Sequence, residues 1–501
     1  MDIVGSSISP TLSKSFDDGD IYNGHVDISD VDERKLLRKI DIVLVPWLSF
    51  LYALSFLDRT SIGKYLYNLE ADLHITDSQY LLALTVFFFS YALFEVPSNV
   101  LLKRLHPSLW LSSLMLLWGI VMTVQGLVHN YGGLLGIRWM LGMFEACLYP
   151  GVAFYLSCWY KRTEFGLRVA VFFSASTVSG AFGGLLAAAI SNMDGIGGKP
   201  AWAWIFILEG LLTVLAALAS YWIIQDFPDT AKFLSEAERT VVIRRLQADS
   251  QFSAAGEKFK MKYIKQSLLD WKTWVGMMTF AGGGMPLYAS ALFLPSIINE
   301  VSYTATRANL LTVPIYVLAC IVTCIVGFFG DRRGQRVWLA LNNCIGAAGY
   351  IILIASRSAP LSYFATFLAV CGICPVLRKC CAWFSNNIEG TYKRGVTLAM
   401  IISFGNLNGA VSSNVYRASD EPWYTLDVSG MVLMYIGLGM ISSIVCLFLL
   451  DRENKKRDRG ERDEIIGDIT ITGNEKNGRF ATLADAKREK GDRWSGYRYT
   501  L

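Results

Sequence analysis

From Ile40 to Leu450 the chain returns repeatedly to apolar runs about 20 residues long, and this recurrence constrains the fold more than any other feature. A helix of that length, rising ~1.5 Å per residue, crosses the roughly 30 Å hydrocarbon core of a bilayer. Of 501 residues, 53% are hydrophobic and 18% charged. Mean hydropathy is +0.37, so the chain is more apolar and less charged than a water-soluble globule. The net charge of +4 carries no signature of nucleic-acid binding. Spans are expected at 40–63, 80–102, 109–128, 132–156, 167–191, 202–225, 273–298, 308–330, 337–356, 362–384, 395–416 and 428–450. The predicted fold class is therefore all-α membrane protein, with about twelve transmembrane helices in two pseudo-symmetric six-helix halves.

Short-loop charge sets the orientation. Lys103-Arg104, Lys161-Arg162, Arg332-Arg333-Arg336 and Lys393-Arg394 fall on the same side as the N-terminus, which places both termini in the cytoplasm. The first apolar run follows a polar Ser/Asp-rich stretch, Arg34-Lys35 and Arg38-Lys39, and reads as a retained span rather than a cleaved signal. The expected organisation is a cytoplasmic tail (1–39), a first half (40–225), a cytoplasmic linker (226–272), a second half (273–450) and a mobile charged tail (451–501). In the linker, Ser235 and Glu238 form a capping box opening a short helix, with Arg239, Arg244 and Arg245 suited to the membrane surface.

The informative residues are those that do not belong in lipid. An ionised side chain there costs roughly 2.5–3.5 kcal/mol on insertion scales, so it faces a protein interior or a watery cavity. Asp58 and Arg59 sit side by side near the end of the first run. Counting ~1.5 Å per residue puts Asp58, Arg59, Arg138 and Glu209 at ~9 Å below the outer surface, with Glu145 two turns deeper on the face of Arg138. Asp58 and Glu145 can lose charge and suit proton coupling. Arg59 and Arg138 stay charged and offer a planar fork to a substrate carboxylate. Permanent ion pairing, Asp58 with Arg59 or Arg138 with Glu145, is the plainer alternative. Tyr288 and Asn406 are mid-depth polar contacts to substrate, or else links between helices. Glu209 reads as a vestibule cap, and Asp331 with Arg332 and Arg336 as a structural or gating latch. Arg378-Lys379 either snorkel to the cytosolic interface or form an inner anion contact. Cys371 and Cys374 have metal-motif spacing without a second pair or a nearby histidine, and read as small packing residues.

The loop Gly327-Phe-Phe-Gly330-Asp331-Arg332-Arg333-Gly334-Gln335-Arg336 resembles the loop signature of the major facilitator superfamily. Further strings resemble its fungal anion:cation symporter branch, the allantoate, nicotinate and pantothenate permease type. They are Leu57-Asp58-Arg59, the segment from Arg138 through Glu145 to Tyr149-Pro150-Gly151, Trp159-Tyr160-Lys161-Arg162, Glu209-Gly210 and Asn414-Val-Tyr416-Arg417. Arg378-Lys379 departs from the pattern, where apolar or small residues are expected. The resemblance implies acids for proton coupling, arginines for an organic anion, and alternating access between the halves.

The function expected is a proton-coupled symporter of a small organic anion in the plasma membrane. It would act as a monomer whose partners are the substrate and the lipid, driven by the proton gradient without a metal or other cofactor. An exporter of an acidic metabolite on the same fold is the alternative, and a nutrient sensor a further one. No catalytic constellation is present, and the four histidines are scattered, so an enzyme is not expected.

Overall fold

The computed structural model describes residues 22–23, 25–60, 69–249, 261–300, 305–333, 335–356, 358–415, 426–466 and 475–501. The first half contains α1 (Glu33–Thr60), the single turn α2 (Leu69–Asp72), α3 (Asp77–Arg104), α4 (Pro107–Gln125), α5 (Tyr131–Glu145), α6 (Leu148–Ser157), α7 (Arg162–Ile190) and α8 (Ala201–Ile223). Two connecting helices follow, α9 (Glu236–Ala248) and α10 (Met261–Leu268). The second half is α11 (Trp271–Glu300), α12 (Ala305–Arg333), α13 (Gln335–Ala355), α14 (Ala359–Asn386), α15 (Thr391–Val415) and α16 (Leu426–Asp458). Beyond it, β1 (Ile465–Ile466) pairs in parallel with β2 (Arg479–Phe480), ahead of α17 (Leu483–Lys490). Helices α5 and α6 form one broken span. Pro150 stands in the first turn of α6, where a missing N–H is tolerated, so the chain breaks just beyond Glu145 instead of continuing α5.

The two halves repeat one set of pairings. Helix α1 packs on α7, α3 on α5, and α4 on α8; six spans later α11 packs on α15, α12 on α14, and α13 on α16. The halves meet along α3 with α15 and α7 with α12. On the outside, Met434, Leu438, Ile441, Val445 and Phe448 recur every three or four residues along α16 as an exposed apolar stripe, the face a lipid-embedded helix turns outward.

Close approach of α4 to α8 depends on Gly210, where an added Cβ would fall on the Thr123 backbone. A backbone cannot yield as a side-chain tip can. Gly210→Ala is expected to lower the unfolding free energy by about 1–3 kcal/mol, read as a lower melting temperature of the purified protein.

At the end of the bundle where α1 begins, the halves are fastened together. Asn99 donates to the Gly395 carbonyl at 3.1 Å, Arg394 to the Ser157 carbonyl at 3.2 Å, and Asn386 to the Arg162 carbonyl at 3.1 Å.

Two expectations change here. Ser235 and Glu238 do form the capping box of α9, but the arginines of that helix turn into the protein. Arg245 is buried against Glu164 and the Trp159 carbonyl, Arg239 binds the Ala231 carbonyl, and Arg244 holds the carbonyls of Tyr22 and Asn23. Carbonyls exposed at chain turns offer fixed acceptors that an open membrane surface lacks. The charged tail is also not loose over residues 475–501. Tyr497 is buried and donates to the Asn386 carbonyl at 2.9 Å, and Trp383 donates to the Thr500 carbonyl at 3.0 Å. Its aromatic residues and Asp492 supply the buried contacts that its overall polarity conceals.

Candidate functional site

The charged residues of the spans converge at the centre of the bundle. Glu145, 1% exposed at the end of α5, accepts from the Arg59 Nε of α1 at 2.6 Å and from the Ser55 hydroxyl at 2.5 Å. The Arg59 guanidinium lies over the Tyr91 ring of α3, 4.7 Å from its centroid. Its Nη1 donates to the Tyr288 hydroxyl of α11 at 3.1 Å. Tyr288 donates in turn to Asn406 Oδ1 of α15 at 2.6 Å, and Asn406 Nδ2 donates to Glu95 of α3 at 3.2 Å. A chain of five side chains, Glu145–Arg59–Tyr288–Asn406–Glu95, thus runs from the first half through the second and back.

Beside this chain lies a second group. Asp58 is 1% exposed and faces the Trp118 indole, but neither of its oxygens lies in hydrogen-bond geometry with a donor. Arg138 is 2% exposed, and its Nε and Nη2 are likewise unpartnered. Glu209 is buried nearby, and Asp58, Arg138, Glu145 and Glu209 are electrostatic neighbours. Buried polar atoms are ordinarily hydrogen-bonded, so these open valences make this group the candidate site.

The structure brings together Asp58, Arg59, Arg138, Glu145, Tyr288 and Asn406. The pairing differs from either sequence alternative: Glu145 is held by Arg59, its neighbour in space, rather than by Arg138 on its own helix. Arg59 points across the bundle from α1 while Arg138 stays one level further out on α5. Glu95 was missed. The signal was present, a single acid in the long apolar run of α3, the same anomaly that singled out Asp58. Asp331, Arg332 and Arg336 fall at the corner of α12 and α13, and their side chains lie outside the described residues.

Snorkelling is not what Arg378 and Lys379 do, since each is 3% exposed inside the bundle. Lys379 Nζ reaches the Gly327 carbonyl at 3.4 Å. Arg378 instead lies against the Phe173 ring of α7, 4.4 Å from its centroid. It sits eight residues before the C-terminal end of α14, too deep in the packed bundle for its stem to reach water.

A helical bundle of two repeated halves, closed around a buried network of acids and arginines, is a secondary transporter. The chain belongs to the Major Facilitator Superfamily, whose family model matches residues 48–413. It is 35% identical over 444 residues to the MFS-type transporter cnsO of Penicillium expansum, covering 86% of each chain. It is 32% identical over 428 residues to the high-affinity nicotinic acid transporter of Saccharomyces cerevisiae, covering 85% of this chain and 79% of that one. Among solved structures it resembles the proton:xylose symporter XylE bound to 6-bromo-6-deoxy-D-glucose, with a TM-score of 0.62 and 14% identity over 81% of this chain and 95% of that one. These relatives are transporters, and the chain is a multi-pass membrane transporter, not an enzyme.

Proposed function

We propose that the chain is a proton-coupled symporter of a small organic anion bearing one carboxylate, acting as a monomer in the plasma membrane with both termini in the cytoplasm. One observation carries the reading: Glu145 and Arg59 are ion-paired with each other, while Arg138 beside them has no paired carboxylate among the described residues and keeps two open donors. The paired acid and base are neutral together. A proton arriving alone on Glu145 would leave Arg59 as an uncompensated buried cation, and an anion arriving alone would meet an ionised Glu145 with Asp58 and Glu209 beside it. Proton and anion arriving together leave the net charge of the cavity unchanged: Glu145 takes the proton and releases Arg59 to the substrate carboxylate. Buried net charge is costly, so co-loading is favoured over either half-step. Tyr288 and Asn406 belong to the second half, so rearranging Arg59 also rearranges a contact between the halves. The relationship to a nicotinic acid transporter agrees with an anion of this kind.

The decisive experiment is uptake of radiolabelled organic acids, nicotinate among them, in cells lacking their own permeases, with and without an imposed inward proton gradient. Accumulation that follows the gradient supports the reading; flux that ignores it sinks the coupling.

Arg138 supplies the companion prediction. Two charge-assisted hydrogen bonds to a carboxylate are worth about 1.5–3 kcal/mol each at most, so Arg138→Lys is expected to raise the apparent KM roughly ten- to a hundredfold, with expression intact. Lysine keeps the charge and loses the fork. Normal KM in Arg138→Ala would remove this residue from the binding site.

A further inference from the structure

Arg378 lies in the bundle interior and takes no part in the coupling scheme. All three of its guanidinium nitrogens are buried and without a hydrogen-bond partner, and no carboxylate forms an ion pair with it among the described residues. A permanent structural cation at such depth ordinarily has a partner, because an unpaired buried charge destabilises the fold. Around it lie the thiols of Cys374 and Cys324 and a set of aromatic rings. Phe173 lies under the guanidinium, and Tyr52 and Tyr149 are its further neighbours. Tyr52 and Tyr149 are stacked with centroids 5.4 Å apart, Tyr52 packs on Phe172 at 4.7 Å, and Tyr149 is edge-on to Phe173 at 5.4 Å. Tyr52 stands seven residues inward of Arg59 on α1, ~10 Å along the helix, and Tyr149 one turn inward of Glu145. Beside Arg378 a small cavity opens between α7, α12 and α14, bordered by Ala170, Thr323, Gly327, Pro375 and the Lys379 side chain.

We infer that Arg378, with Phe173, Tyr149 and Tyr52, is a second, inner station for the transported anion, and that the anion is a flat aromatic monocarboxylate. The carboxylate leaves Arg59 and Arg138 and is taken over by Arg378, two turns nearer the inner face, while its ring slides along the aromatic wall between. The class follows from charge and shape. The planar guanidinium of Arg378 matches a carboxylate with two parallel hydrogen bonds. Stacked rings separate to admit another flat ring, with offset or edge-on contacts favoured over the same area of aliphatic packing. The inference rests on the chain being an organic-anion transporter and goes beyond it by naming a site and a substrate shape.

The test uses the full-length protein with nicotinate and benzoate as probes, nicotinamide as the uncharged counterpart and lactate as a non-aromatic monocarboxylate. In membrane vesicles of known orientation, Arg378→Met is expected to raise the KM from the inner face at least tenfold while the outer-face KM moves less than twofold. Phe173→Leu keeps the charge and is expected to lose the preference for nicotinate and benzoate over lactate. Thermal unfolding separates a station from a structural anchor. If Arg378 is kept for a ligand, ligand-free Arg378→Met melts at or above the wild-type temperature, and the upward shift produced by nicotinate shrinks. A lower melting temperature with the nicotinate shift and the inner KM unchanged overturns the site. Wild-type transport of lactate without transport of nicotinate or benzoate overturns the substrate shape and leaves the anion-transport reading standing. Wild type that moves no acid under any gradient overturns both.

Discussion

Glu145→Gln is expected to abolish accumulation of substrate against its gradient while exchange between two substrate-filled compartments continues. Glutamine keeps nearly the same volume and retains an oxygen to accept from Ser55 and from Arg59 Nε, the two contacts that hold Glu145 in place. It cannot take up or release a proton. The variant is therefore fixed in the form Glu145 has when Arg59 is free for the substrate. Net uptake requires the empty carrier to return with Glu145 ionised and paired to Arg59, and that step is lost. Exchange needs only the loaded carrier to rock, and it persists. A pair whose sole role is to hold α1 against α5 predicts another outcome. Removing one charge of a buried pair costs about 3–5 kcal/mol, and transport of every kind, or the protein itself, would be lost. Counterflow and pH-driven uptake in reconstituted vesicles distinguish the two, and uphill accumulation retained in the variant would rule out Glu145 as the coupling acid.

The fold was legible because the signals that specify it are local. Apolar length defines a span without reference to its neighbours, and the helices lie where runs such as 40–63 and 395–416 predicted them. Even the break after Glu145 has a local cause in Pro150. Partnership is different. Arg138 and Glu145 share a helical face, and spacing alone favours them as a pair; Arg59 displaces Arg138 because its long side chain reaches Glu145 from α1, which no spacing within one helix reveals. Glu95 was hidden by the same limit. Its partner Asn406 is 311 residues away, and only the packing of α3 on α15 joins them. Arg378 is the reverse case. The sequence flagged the anomaly, two basic residues deep in α14, but its two neighbours in the chain point different ways, Lys379 to the Gly327 carbonyl and Arg378 to Phe173. Low apolar content misled at the tail, where a few buried residues, and not average composition, decide whether a segment docks.

The segment ending at Leu501 gives the second large effect, expected in Asp492→Ala. Asp492 is 1% exposed, paired with Lys272 at the start of α11 and with Lys393 near the start of α15, the latter at 2.7 Å. Asp270 completes the cluster, 2.7 Å from Lys393 and 3.6 Å from Lys272. Two acids and two lysines balance. Removing Asp492 leaves one net positive charge buried, at a cost of about 3–5 kcal/mol, and it also frees the neck that positions Tyr497. Tyr497 carries the Arg162 guanidinium of α7, 4.5 Å from its ring centroid, so the tail touches both halves at the end where they are fastened. The variant should melt at a lower temperature and be cut by protease after residue 458 far faster than wild type. Dependence on pH has a definite sign. Burial pushes the Asp492 carboxyl up, but Lys272 and Lys393 outweigh that and hold it below the usual carboxylate range. A group whose folded value is depressed contributes its stability above its unfolded value, about pH 4, and loses it as pH falls through the folded one. The difference between wild type and Asp492→Asn is therefore expected to stay constant from about pH 5 to 7 and to shrink only in stronger acid. Equal protease sensitivity of wild type and Asp492→Ala at neutral pH would show that the tail is held by its aromatic contacts alone.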